Sequence, residues 1–199
     1  MGTGKIAAWH KENIMTKVSQ ISAVVMITLL LSACSTLSPK DDNLGKRTFG
    51  TKLDDRRSAK LIMQNMKAAI PDVKTMNVAV TVFNGVALLT GQTNTEAAKA
   101  HAGRIAEQIR HVAKVHNELE VAGPTAGLVR TNDALLKTKL KVKMSTSGAV
   151  DAGRTKVVVE NGAVYLMGLL TRDEAKAAVE LTREVFGVQK IVQAFEYLN

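Results

Sequence analysis

Residues 78–91, VAVTVFNGVALLTG, decide the fold of this chain. Valines alternate with other residues up to Phe83, Asn84-Gly85 predicts a type I′ turn, and residues 86–89 return as a second strand. The pattern recurs at residues 156–168, KVVVENGAVYLMG, where Asn161-Gly162 lies 77 positions after Asn84-Gly85. A repeated hairpin therefore predicts a repeated domain.

The segments around the first hairpin predict two helices and a third strand. Apolar residues recur at helical spacing from Asp54 until Pro71, which ends the helix. Thr93 and Glu96 fit a capping box for a second helix that ends near residue 110. Alternation over residues 115–121 predicts the third strand.

The same order of elements follows the second time. A helix is predicted from residues 131–132 to about 144, the hairpin follows, and Thr171 with Glu174 opens another helix. A final strand covers residues 191–198. We predict an α+β chain with domains at residues 54–122 and 131–199, joined by the linker 123–130.

The N-terminal part has the layout of an export signal. Lys17 precedes the apolar run 21–31, which is shorter than the about 20 apolar residues that span a bilayer. Leu31-Ser32-Ala33-Cys34 matches the lipobox of bacterial lipoproteins, which makes Cys34 the lipid-bearing residue. We expect a signal peptide over 1–33, with Met15 as an alternative start, and a flexible tether over 34–53. The competing interpretation is a buried helix with an incidental cysteine.

Charge and composition restrict the classes of binding partner that the chain favours. The residues after Ala33 carry 24 basic and 17 acidic side chains, a net charge of +7, which favours nucleic acid or an anionic membrane. Export favours the membrane, and the scarcity of aromatic residues speaks against nucleic acid. The single cysteine leaves no disulfide, so the domains depend on hydrophobic cores.

The repeated unit resembles the BON domain, and the chain after Cys34 resembles the dual-BON outer-membrane lipoproteins. The resemblance is carried by residues 50–55, 84–92, 117–119, 160–162, 166–168, 174–178, 187–188 and 194–195. It implies two αββαβ units, each a three-stranded mixed sheet with two helices packed on one face. It also implies a place on the periplasmic inner leaflet of the outer membrane, with Ser35 fitting outer-membrane sorting. The implied function is binding of anionic phospholipids such as phosphatidylglycerol or cardiolipin, chiefly through the second unit, in support of envelope integrity.

The first helix of the second unit has two apolar stripes. On a wheel with Leu135 at zero, Leu136, Leu140 and Met144 fall between about 100° and 180° and predict the core face. Leu135 and Val142 fall near 0° on the opposite side, which one face cannot bury with the core stripe. The leading helix of the first unit has one apolar stripe, and only Leu61 lies outside it. The two helices are therefore expected to differ in their exposed apolar residues.

Lysines flank the second stripe, as in helices that lie in an anionic lipid interface. The predicted phospholipid site comprises Leu135, Lys137, Lys139, Leu140, Lys141 and Lys143. The alternative is a solvated lysine face with the apolar residues covered by the neighbouring unit. The resembling lipoproteins carry Trp at the position of Leu135, so the aromatic anchor of their helix is absent here.

The sheet face away from the helices is a second candidate surface. In the second unit it carries Val158, Tyr165 and Met167. We predict that it packs either against the first unit or against a protein partner, such as an outer-membrane assembly or cell-division component. The second possibility gives the alternative function, a protein-binding adaptor.

No pattern of catalytic or metal-binding residues is present. His101, His111 and His116 lack metal-site spacing. Nucleophile elbows and phosphate-binding glycine loops are missing. We therefore expect no enzyme activity, no cofactor and no metal.

Overall fold

The computed structural model describes residues 45–71, 73, 76–123 and 127–198. They belong to a compact unit spanning 44–199. The lipobox with Cys34, the signal peptide and the tether before Gly45 lie outside the described residues. The elements are α1 (Phe49–Ala69), β1 (Val78–Phe83), β2 (Val86–Thr93), α2 (Glu96–Glu107), β3 (Lys114–Val121), α3 (Gly127–Ser147), β4 (Thr155–Glu160), β5 (Ala163–Leu170), α4 (Arg172–Arg183) and β6 (Lys190–Tyr197).

Each domain has one mixed sheet, ordered β1-β2-β3 in the first and β4-β5-β6 in the second. The hairpin strands are antiparallel, and the third strand is parallel to the middle one. Asn84 and Asn161 have φ angles of 52° and 50°. The glycines that follow them, Gly85 and Gly162, also have positive φ angles, as a type I′ turn requires. The predicted α+β repeat is confirmed.

Both leading helices begin earlier than predicted. The α1 helix begins at Phe49 because the side-chain oxygen of Thr48 accepts the backbone N–H of Thr51 and caps it. The predicted tether is therefore helical over its last five residues. The α3 helix begins at Gly127, inside the predicted linker 123–130.

Each domain has its own hydrophobic core between its helices and its sheet. In the first, Ile62 and Met66 of α1 pack with Leu89 and Leu119. In the second, the buried residues include Leu136, Leu140, Met144, Val164 and Leu166. Because the described residues contain these cores, we expect residues 44–199 to fold without the preceding segment.

The sheet faces that point away from the helices pack against each other. Phe83, Val86 and Leu88 of the first domain form one buried cluster with Val158, Ala163, Tyr165, Met167 and Ala194 of the second. We call this cluster the inter-sheet core. It fixes the two domains in one arrangement because separating them would expose large apolar side chains to water.

Polar contacts surround the inter-sheet core. The side-chain amide of Asn77 donates to Glu160 at 3.1 Å, and that of Asn84 donates to Glu196 at 2.7 Å. Lys190 Nζ lies 3.5 Å from Glu118 Oε2. These contacts add orientation to the nondirectional apolar packing.

The segment before α1, residues 45–48, contacts both domains. The backbone of Gly45 lies against Leu198, and Lys46 Nζ lies 3.8 Å from Asp151 in the second domain. Arg47 contacts two residues of the first domain. Its guanidinium lies 3.6 Å from the centre of the Phe83 ring and 2.6 Å from a carboxylate oxygen of Asp55. The segment therefore joins the two domains a second time.

A buried aspartate fastens each leading helix to its hairpin. Asp55 of α1 accepts the backbone N–H groups of Asn84 at 2.9 Å and Gly85 at 3.0 Å. Asp133 of α3 accepts those of Asn161 at 2.7 Å and Gly162 at 2.9 Å. Both aspartates lie inside their helices, and each accepts two N–H groups of its hairpin turn.

Replacing Asp133 with Ala should lower the free energy of unfolding by about 2–3 kcal/mol, because two turn N–H groups lose a charged acceptor. Urea unfolding of the 44–199 fragment measures the change. Glu107→Ala removes an exposed carboxylate from α2 and should stay within about 0.5 kcal/mol of the unaltered chain. Equal losses in the two variants would contradict the role assigned to Asp133.

Candidate functional site

Three large apolar side chains form an exposed strip along α3. Leu128, Leu135 and Val142 are spaced seven residues apart and are 74%, 57% and 59% exposed. Seven residues are nearly two helical turns, so the three side chains lie on one side of the helix. The opposite side carries the buried residues Leu136, Leu140 and Met144. The exposed pair Leu135 and Val142 was predicted, whereas Leu128 lay in the predicted linker.

The four predicted lysines lie between the α3 strip and the core side of the helix, with Lys139 and Lys143 about 40° and 80° from Leu135 and Lys141 and Lys137 about 120° and 160° from it in the other direction. Lys139 and Lys141 are exposed, and Lys137 and Lys143 are half-buried. Lys143 Nζ donates to a carboxylate oxygen of Glu184 at 2.6 Å, which neutralises part of its charge. Lys137, Lys139 and Lys141 are therefore the lysines of this set most available to an anion.

Leu140 is not part of the exposed surface. Its side chain is fully buried with Leu136 and Met144 in the core of the second domain. Leu140 lies on the core side of the helix, about 140° around the axis from Leu135. The prediction that Leu140 belongs to the lipid site is corrected accordingly.

Phe186 extends the apolar surface beyond α3. Its side chain is 96% exposed in the connection between α4 and β6. With Leu135 and Lys139 it lines a surface cleft of about 430 Å³. Sequence reasoning missed Phe186 because its exposure depends on where the loop after α4 lies. An aromatic ring is thus present beside Leu135, although on a different element from the expected tryptophan.

The second candidate surface is covered by the first domain. Val158, Tyr165 and Met167 all lie in the inter-sheet core, and Tyr165 is only 2% exposed. The structure therefore corresponds to the first alternative, packing against the neighbouring unit. These three residues are not exposed to a partner in this arrangement.

Charged groups around the inter-sheet core change the ionisation of its members. Burial, followed by the negative charges of Glu118, Glu120 and Glu160, raises the pKa of Tyr165 to about 12. Burial also raises the pKa of Glu160, and the hydrogen bond from Gln92 opposes that change. The neutral form of Tyr165 is favoured because the phenolate would lie in a poorly solvated, negatively charged place.

The described part of the chain shows no metal-binding cluster and no membrane-spanning helix. Within residues 45–198, apart from the undescribed positions, no group of three or more potential ligands could hold a metal ion. In the same residues, no helix combines the length and apolar character that a membrane crossing requires. Burial, together with the charge of Lys114, lowers the pKa of His116, and Glu118 opposes that change.

Comparison with known proteins identifies both halves of the described chain. The BON domain model matches residues 54–123 and again residues 132–199. The chain is 33% identical over 154 residues to the outer membrane lipoprotein DolP of Haemophilus influenzae, covering 77% of this chain and 79% of that one. It is 31% identical to a 21 kDa hemolysin of Actinobacillus pleuropneumoniae, with the same coverage of the two chains.

A more distant relative covers more of the chain. Osmotically-inducible protein Y of Escherichia coli is 22% identical over 188 residues, which are 88% of this chain and 94% of the relative. Together with the family match, these relatives confirm the resemblance to dual-BON proteins that the sequence predicted.

Titration of Tyr165 tests the inter-sheet packing. Tyr197→Phe leaves Tyr165 as the sole tyrosine. We expect little tyrosinate absorbance at about pH 11 in the folded chain and a transition near pH 10 in urea. Because the folded pKa exceeds the unfolded one, this group's contribution to stability is complete below about pH 10 and is lost as the pH rises towards about 12. A transition near pH 10 in the folded chain would instead indicate an open sheet face.

Proposed function

Since the chain belongs to the BON-domain family, we propose that it is a non-enzymatic, lipid-anchored periplasmic protein that binds anionic phospholipid. Binding takes place through the second domain and helps to maintain the integrity of the outer membrane. The similarity to an outer membrane lipoprotein supports the location. In this proposal, Cys34 carries the lipid and holds the protein at the inner leaflet.

The single observation that carries the proposal is the α3 strip with its flanking lysines. An interfacial helix needs an exposed apolar side that enters the acyl boundary and cations beside it that meet the headgroups. Leu128, Leu135 and Val142 supply the apolar side over two successive seven-residue intervals. Lys137, Lys139 and Lys141 supply the cations, each adding on the order of 1 kcal/mol near an anionic surface.

Phe186 strengthens the same surface. Phenylalanine, like tryptophan and leucine, is typical of the apolar face that interfacial segments bury at the boundary between headgroups and acyl chains. Phe186 lines one cleft with Leu135 and Lys139, so a bilayer that meets the α3 strip also meets this ring. In our proposal Phe186 takes the anchoring part that tryptophan has in the resembling lipoproteins.

The first domain offers a comparison within the same molecule. Its leading helix α1 exposes Leu61 but lacks the repeated seven-residue spacing of exposed apolar residues. Phe49, at the start of α1, is also exposed. The first domain therefore supplies an exposed leucine and an exposed phenylalanine that are not part of the α3 strip.

The 44–199 fragment should co-sediment with vesicles that contain phosphatidylglycerol or cardiolipin and not with vesicles of phosphatidylcholine alone. Raising the salt concentration should weaken the interaction, because screening reduces the attraction of lysines to the surface. Absence of binding to every vesicle would remove the proposed function. It would leave lipidation of Cys34 as the attachment to test next.

The double variant L135S/F186S should lower the affinity for phosphatidylglycerol vesicles by about tenfold or more, because two apolar side chains no longer enter the membrane. The matched variant L61S/F49S removes the same side chains from the first domain and should bind like the unaltered fragment. Equal losses in both variants would show that general surface apolarity, not the α3 strip, determines binding. Urea unfolding of both variants checks that they remain folded.

A further inference from the structure

Positive charges from both domains converge on Lys156 of β4. Lys156 is exposed, but partial desolvation lowers its pKa, and the charges of Lys137, Arg47, Lys141 and Arg56 lower it further. Two of these cations come from α3 and two from the first domain or the segment before it. We call the five residues the junction cluster.

The inter-sheet core brings the two sources of charge together. Lys156 lies on the edge strand of its sheet, two residues before Val158, so both side chains belong to the same sheet face. Val158 packs in one cluster with Phe83, and Arg47 lies 3.6 Å above the ring of Phe83. Arg47 and Lys156 thus approach the same side of the contact between the domains.

The α3 helix supplies a pocket next to these groups. Lys141 and Lys156 line a cleft of about 210 Å³ between α3 and β4, together with Met144 and Val157. Lys137 lies one turn before Lys141 on the same side of the helix. The cleft is therefore lined by apolar side chains and by two cations.

Most of this charge has no counter-ion. In the part of the chain that the structure describes, Arg56, Lys137, Lys141 and Lys156 form no ion pair, and Arg47 is paired with Asp55. Crowded cations raise the free energy of the charged state, and a bound anion relieves it. Guanidinium and ammonium groups together suit a phosphate, which accepts several charge-assisted hydrogen bonds.

We propose that the cleft between α3 and β4 binds a phosphate group through Lys141 and Lys156, with the other cations of the junction cluster adding positive charge. The proposal rests on the proposed function and deepens it, because a lipid headgroup is one source of such a phosphate. Soluble phosphate has the same chemistry, and the two sources are separated by experiment. In this proposal Arg56 adds positive charge from the first domain, while Arg47 remains paired with Asp55.

The vesicle arm uses the 44–199 fragment with Arg56→Gln and Lys156→Gln combined. Its affinity for phosphatidylglycerol vesicles should fall by about tenfold or more. The matched variant K67Q/K176Q removes two exposed lysines from α1 and α4 that do not act on Lys156, and should change affinity by less than about threefold. Arg47 is left in place because its loss would also disturb Asp55.

The soluble arm adds inorganic phosphate and follows the pKa of Lys156 by NMR of its side chain. A bound anion favours the charged ammonium, so the pKa should rise, and the rise should be smaller in Arg56→Gln. A lysine outside the cluster, Lys176, should show no such rise. This measurement does not depend on membrane binding.

The outcomes separate the two proposals. A selective loss in R56Q/K156Q supports the headgroup as the source. Normal vesicle binding by that variant, with no effect of phosphate on Lys156, overturns the junction cluster and leaves the α3 strip intact. Failure of the unaltered fragment to bind vesicles removes the proposed function, and a phosphate-dependent rise at Lys156 would then assign the cluster to soluble phosphate. Absence of both effects removes both proposals.

Discussion

Packing of one sheet against the other is the contact on which the arrangement of this molecule depends. Three-stranded sheets with helices on a single side leave an apolar face that must be covered. Here each domain covers the other, through Phe83 and Leu88 on one side and Tyr165 and Met167 on the other. The helices consequently remain on the outer sides, where the surface of α3 is exposed, and the segment before α1 contacts the second domain.

The two buried aspartates show how a short sequence feature is translated into tertiary structure. A type I′ turn presents the N–H groups of its asparagine and glycine, and a carboxylate within the leading helix accepts both. These hydrogen bonds fix the position of each hairpin relative to its leading helix. The same arrangement occurs in both domains, whereas the exposed apolar residues of α1 and α3 differ.

Periodicity in the sequence was sufficient for the repeated fold because the hairpins carry strong local information in Asn84-Gly85 and Asn161-Gly162. It also separated Leu135 and Val142 from the core residues of α3. Periodicity could not predict that Phe186 is exposed, because that exposure depends on the position of a loop. It also could not predict whether the first domain or a partner covers Tyr165. Leu140 illustrates a different error, since the helical wheel pointed it inward and the prediction nevertheless kept it in the site.

Charge distribution was harder to predict than burial. The lysines of α3 are visible as a local pattern, but their proximity to Lys156 and Arg56 depends on how two domains approach each other. Asp55 illustrates the same limit, because its partners are turn N–H groups 29 and 30 residues away in the sequence. Local chemistry specified the elements, and long-range packing specified which charges became neighbours.

The double attachment of residues 45–48 has a mechanical consequence. A pull on the chain ahead of Gly45 acts first on contacts with Leu198 and Asp151 in the second domain and on Arg47 in the first. Such a load therefore acts on both domains before it reaches the first turn of α1. A molecule held by its N-terminal side would in this way resist tension as a single body.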